Sequence, residues 1–112
     1  MKQVILDTSF ILTCLKQKID FFEELELEGY QIIIPRQVLN ELKGLKSKLA
    51  LDLLSYHKYK TIDLDSNSVD DGIIRYAEEN PEVVVGTLDR GIKDEIKNRK
   101  LVIRGMRKLE IV

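Results

Sequence analysis

Val4-Ile5-Leu6-Asp7-Thr8-Ser9-Phe10 is the stretch that decides the fold. A short apolar run stops abruptly on a carboxylate followed by two hydroxyls. Three more runs of the same kind recur along the chain: Ile32-Ile33-Ile34, Val83-Val84-Val85 and Leu101-Val102-Ile103. Continuous, β-branched runs of this length fit strands covered on both faces, as in a parallel sheet between helices. Thr61-Ile62-Asp63-Leu64 alternates instead and reads as a weaker strand at an edge.

Helical patterns fill the intervals. Phe10, Ile11, Cys14 and Leu15 form one apolar pattern, and Val38, Leu42, Leu45 and Leu49 recur at helical spacing. After a break between Gly44 and Ser47, Leu51 and Leu54 continue a second helix toward the Tyr56 to Tyr59 region. Asp70, Ile73, Ile74 and Ala77 fall at i, i+3, i+4 and i+7 and share one face. Ile92 and Ile96 place a short helix before Leu101. Gly29, Pro35, Asn80-Pro81 and Gly105 mark turns. Strands alternating with helices predict an α/β domain with right-handed crossovers, whose functional crevice lies beyond the carboxyl ends of the strands.

The 112 residues suit one domain, 1–112. No apolar run approaches the roughly 18 to 20 residues of a membrane span, and Val4-Ile5 followed so soon by Asp7 makes no secretory signal. The expectation is a cytoplasmic protein with no membrane partner. Cys14 is the single cysteine and His57 the single histidine, so an internal disulfide and His- or Cys-rich metal clusters are excluded. The net charge of −1 hides an uneven distribution. Asp20, Glu23, Glu24, Glu26 and Glu28 make one segment acidic, whereas Arg90, Lys93, Lys97, Arg99, Lys100, Arg104, Arg107 and Lys108 load the last quarter with positive charge. This marks either a polyanion-binding face or a solvated helix and a strand edge kept soluble by its cations.

Asp7 follows the first run directly, Asp89 follows Val83-Val84-Val85-Gly86-Thr87-Leu88 in the same relation to a later strand, Asp70 and Asp71 open the helix leading into that strand, and Glu41 lies on the helix after Pro35. Adjacent first and later strands would set Asp7 and Asp89 at one sheet end, where helix starts also lie. Asp70 shares the packed face of its helix and is the better inward candidate, while Asp71 is rotated by about 100°. Glu41 either flanks the crevice or faces solvent. Two carboxylates about 4 Å apart repel by roughly 4 kcal/mol at an effective dielectric near 20. Such a group must protonate, lean on bases or bind a cation. Oxygen-only ligands point to Mg²⁺ or Mn²⁺, and Thr8, Ser9 and Thr87 supply hydroxyls that hold carboxylates or water. Each acid also has a structural reading. Asp7 or Thr8 caps the first helix, Asp89 caps the helix containing Ile92, and Ser68 to Asp71 fits a capping box.

Taken in order, four segments resemble the PIN domain, a family of small metal-dependent ribonucleases. They are Leu6-Asp7-Thr8-Ser9; Val38-Leu39-Asn40-Glu41-Leu42; Asp70-Asp71-Gly72-Ile73-Ile74 leading to Ala77; and Val85-Gly86-Thr87-Leu88-Asp89-Arg90. The resemblance covers essentially the whole chain. It implies a three-layer sandwich whose central parallel sheet has about four or five strands flanked by helices. It also implies an endoribonuclease that cleaves phosphodiesters with metal-activated water. Asp7, Glu41, Asp70 and Asp89 would be its principal acids, Asp71 an adjacent metal ligand, and Ser9 and Thr87 polar supports.

The chain looks most similar to the branch that processes small-subunit ribosomal RNA. The other large branch is the toxin of toxin–antitoxin pairs, and a non-catalytic RNA-binding module is the third reading. The implied partners are single-stranded or structured RNA, with an antitoxin or a ribosome-assembly factor according to branch. A homodimer is a further expectation for so small a domain. Arg90, Lys93, Lys97, Arg104 and Arg107 are the candidates for phosphate contacts. Tyr56, His57 and Tyr59 either stack on bases or pack on their own helix.

Overall fold

Val4 and Leu6 face one side of the sheet and Ile5 the other, and each side meets its own set of helices. In the computed structural model, which describes residues 1–105 and 107–112, β1 (Lys2–Leu6) runs into α1 (Thr8–Lys16) and α2 (Phe21–Leu27). Next come β2 (Tyr30–Ile33), α3 (Arg36–Gly44), α4 (Lys48–Tyr56) and α5 (Val69–Glu79). The chain ends through β3 (Val84–Gly86), α6 (Arg90–Glu95), β4 (Lys100–Arg104) and β5 (Lys108–Ile111). The sheet order is β2-β1-β3-β4-β5, with the first four strands parallel and β5 antiparallel to β4.

One core layer gathers Val4, Leu6, Val84 and Leu101 with Phe10 and Cys14 of α1, Phe21 and Phe22 of α2, Val38 and Leu42 of α3, and Leu54 of α4. The other gathers Ile5, Ile33, Val83 and Val85 with Ile73 and Ala77 of α5 and Ile92 of α6. The period-two alternation of each buried strand therefore feeds two cores, which is why the runs are apolar throughout. Full burial of one such side chain stabilises the fold by about 1.5–3 kcal/mol. The three-layer α/β sandwich expected from the sequence is the fold observed.

Several local expectations differ. Thr61–Leu64 is not a strand. Only Lys60 bridges to Ile33, and the carbonyls of Lys60 and Ile62 accept from the amides of Ile34 and Arg36. Asp63 then takes Arg36, Gln37 and the Asp65 amide, and Asp65 turns the chain at φ +55. The sheet instead gains β5 at its other edge, so it is mostly rather than wholly parallel. The helix of Leu51 and Leu54 ends at Tyr56, with His57 already extended. His57 stacks on Phe22 at 4.3 Å, and Tyr59 tilts against the same ring, so both aromatics pack on α2. Leu45 and Leu49 are not core: they are 60% and 65% exposed. Among the described residues no helix is long and apolar enough to cross a membrane.

Candidate functional site

From β1 the chain crosses to β2 on one side and later returns to β3 on the other. Strands β1 and β3, adjacent and in register from Val4↔Val84 to Leu6↔Gly86, thus flank a topological switch point. Asp7 lies one residue past the end of β1, and its amide donates to the Gly86 carbonyl at 3.1 Å. Thr87 and Asp89 leave β3 beside it.

Asp7 is 5% exposed and caps α1. One carboxylate oxygen accepts from the Phe10 amide and the Ser9 hydroxyl, both at 2.9 Å, while the other accepts from Thr87 Oγ1. The Thr87 hydroxyl also accepts from the Asp89 amide at 3.0 Å. Asp89 caps α6 through the amides of Gly91 and Ile92. Capping is therefore real for both acids, and it orients their carboxylates toward a shared opening. Thr8 Oγ1 donates to Glu41 Oε1, tying α3 to the start of α1. At α5 the Ser68 hydroxyl accepts from the Asp71 amide at 3.3 Å, but the Ser68 amide turns to Ser66, so the capping box closes on one side only.

An open cavity of about 600 Å³ is lined by Asp7, Thr8, Ser9, Glu41, Asp70 and Asp89, together with Leu12, Gly44, Leu45, Val69 and Leu88. Four carboxylates from four chain segments converge there. Asp71 is exposed and outside that lining. The Asp7 carboxyl is pushed up from its ordinary value by burial, against the pull of Thr87, Phe10 and Ser9, and further by the charge of Asp89. Asp70 at the rim is also pushed up, first by partial burial and then by Asp89, Asp7 and Glu41. Among the described residues no three His, Cys, Asp or Glu side chains stand as a ready-made metal cage. The donor set nonetheless fits a hard divalent ion: it is all oxygen, mutually repulsive, and held by hydroxyls and amides that leave lone pairs free.

The expected cationic residues scatter. Arg90 and Lys93 lie on α6, which starts at the site. Leu101 is level with Gly86, so Arg104 stands roughly 10 Å beyond the sheet end on the site's side. Its guanidinium pairs with Glu110 at 3.0 Å, and Arg107 follows in the β4–β5 turn, exposed. Lys97 lies at the opposite end, next to Asn98, whose side chain donates to the Val83 carbonyl before β3. Sequence reasoning missed the apolar lining from Leu12, Leu45, Val69 and Leu88. Leu45 carried the available signal, but its helical spacing from Leu42 and Leu49 reads as core.

The family model described as PIN like domain matches residues 4–108. Ribonuclease VapC4 of Methanocaldococcus jannaschii is 30% identical, across 96% of this chain and 92% of that protein. The rRNA-processing protein fcf1 of Schizosaccharomyces pombe is 32% identical across 84% of this chain, which spans 53% of its length. The solved structure of the PIN domain endonuclease Utp24 superposes with a TM-score of 0.83 at 25% identity, covering 97% of this chain and 90% of that one.

Proposed function

The chain belongs to the PIN-like domain family, and from that premise we propose that it is a divalent-metal-dependent endoribonuclease. The observation that carries this reading is the convergence of Asp7, Glu41, Asp70 and Asp89 on one cavity at the switch point between β1 and β3. Asp7, Asp70 and Asp89 would hold a Mg²⁺ or Mn²⁺ ion, with Asp71 an adjacent acid outside the lining. When bound, that ion supplies an activated water and neutralises charge growing on the phosphate. Ser9, Thr87 and the Phe10 amide hold the Asp7 carboxylate in one orientation, so little reorganisation is left for the reaction. Thr8 engages one oxygen of Glu41, leaving the other to accept a proton at the edge of the pocket. Arg90, Lys93, Arg104 and Arg107 are the phosphate contacts on the site's side of the sheet.

The substrate we propose is ribosomal RNA during its processing, supported by the likeness to fcf1. Ribonuclease VapC4 is similar at 30% identity over more of both chains, which supports a second reading as a toxin ribonuclease with an antitoxin partner. Growth arrest on expression, relieved by a co-expressed small partner, would select the second. Accumulation of uncut precursor rRNA on depletion would select the first.

The deciding experiment is cleavage of end-labelled single-stranded RNA with Mn²⁺, Mg²⁺ or EDTA, beside Asp7→Asn and Asp89→Asn. Cleavage that needs the metal and is lost in both variants supports the reading. Salt-sensitive RNA binding without cleavage, unchanged in the variants, would instead identify a non-catalytic RNA-binding module.

A further inference from the structure

The cavity that holds the carboxylates has an apolar side: Leu12 of α1, Gly44 and Leu45 at the end of α3, and Val69 and Leu88. Leu45 opens the corner between α3 and α4, and this corner has an unusual composition: Lys43, Gly44, Leu45, Lys46, Ser47, Lys48 and Leu49. Both leucines are displayed to solvent, at 60% and 65% exposure. All three lysines are exposed, and among the described residues the ion pairs are Arg36–Asp63 and Arg104–Glu110, so none of the three has an acidic partner.

The backbone of the corner is held firmly. The Lys46 amide donates to the Lys43 carbonyl at 3.0 Å and the Ser47 amide to the Leu42 carbonyl at 3.3 Å, the paired bonds that close a helix C-terminus. The left-handed residue of that closure is Lys46, at φ +53, where glycine is the unstrained choice. A lysine thus stands where the fold alone favours glycine.

We propose that this corner seats the single-stranded stretch of the substrate RNA. Leu45 takes the face of an unpaired base next to the scissile phosphate, and Lys46 and Lys48 hold flanking phosphates. This inference rests on the ribonuclease reading above and adds to it the surface and the residues that receive the strand. A single strand offers apolar base faces and phosphates side by side, matching displayed leucines interleaved with unpaired cations. A duplex hides those faces in its stack. The corner is continuous with the carboxylate cavity through Gly44 and Leu45, so a strand lying on it runs into the acids.

The test is equilibrium binding of a short fluorescent single-stranded RNA to wild type, Leu45→Ala, Lys46→Gly and Lys46→Gly/Lys48→Ala, in EDTA at several salt concentrations. Lys46→Gly is informative because it relieves the left-handed strain, so any loss of binding comes without loss of folding. Thermal melts check this. The expected results are a weakening of up to about tenfold for Leu45→Ala, a salt slope reduced by about 0.7 for each phosphate that the lysine variants no longer hold, and poor competition by the same sequence as a duplex. Variants that bind like wild type, or a duplex that competes equally, overturn the proposal. Metal-dependent cleavage of the same RNA by wild type, measured in parallel, keeps the nuclease reading separate: it survives if cleavage persists while the binding predictions fail.

Discussion

Thr87 Oγ1 donates to the Asp7 carboxylate, joining residues 80 positions apart in sequence across neighbouring strands. The same hydroxyl accepts from the Asp89 amide, so one buried side chain fixes both strand-end acids. Thr87→Val keeps the shape and removes the hydroxyl. It leaves a buried acceptor and a part-buried amide unpaired, which costs about 1–3 kcal/mol. It also removes the strongest downward pull on the Asp7 carboxyl, which burial already raises. Since the site needs Asp7 ionised, the acid limb of the cleavage pH profile moves to higher pH, and Thr87→Ser brings it back. A profile that does not move would show that Thr87 contributes only to packing.

Asp70 gives a prediction of opposite sign for stability. Its carboxyl is raised in the folded protein by burial and by Asp89, Asp7 and Glu41. A raised carboxylate binds its proton more tightly folded than unfolded. The metal-free protein therefore loses stability as pH climbs from the unfolded carboxylate range through the folded value, and the loss is complete above it. Asp70→Asn removes this share. In EDTA at neutral pH the variant is expected to be more stable by about 0.5 kcal/mol once solvent screening is allowed for, with the advantage vanishing near pH 3 to 4. Adding Mn²⁺ should raise the melting temperature of wild type and leave that of Asp70→Asn unchanged. A metal-induced shift of equal size in both proteins would remove Asp70 from the ligand set.

Asp7 and Asp89 were legible in the sequence because Asp7 directly follows, and Asp89 stands three residues beyond, a strand apolar on both faces, the pattern of a covered parallel strand. Asp70 was legible because Ile73 and Ala77 fix the packed face of α5. Strand β5 was not: Lys108-Leu109-Glu110-Ile111 is short and alternating, and only its antiparallel ladder with β4 makes it a strand. Thr61–Leu64 shows the converse, since alternation without a partner along its length yields a single bridge. The exposed Leu45 and Leu49 carried a helical spacing indistinguishable from a core stripe. Which face of a helix is covered depends on its neighbours, and the left-handed Lys46 ends α3 before α4 begins, so Leu45 and Leu49 do not share one continuous helix.

Cys14 offers a probe of global opening. It is fully buried in the helix-covered layer beside the sheet, and burial first, with Glu24 adding to it, pushes its thiol up to about 12. The thiolate is the reactive form. Labelling by a thiol reagent at neutral pH should therefore be negligible in the native protein and follow the unfolding transition in urea. Fast labelling in buffer would mean that α1 opens locally.

Gly72 tests how tightly the start of α5 is tied to the loop that follows α4. A methyl group there would meet Leu64 Cβ at 2.7 Å, close to the backbone and with little room to swing away. Helix propensity alone favours alanine over glycine by about 1 kcal/mol, yet overpacking of a filled core typically costs about 1–3 kcal/mol. The clash is expected to win, so Gly72→Ala should melt below wild type. The displaced first turn carries Asp70, two residues away, so metal affinity should fall by more than the loss of stability explains. Leu64→Gly in the same chain removes the Cβ that the methyl group would meet and should restore metal affinity, although it sacrifices buried apolar surface of its own. Gly72→Ala melting at or above wild type would show that the loop yields easily and does not position the acid.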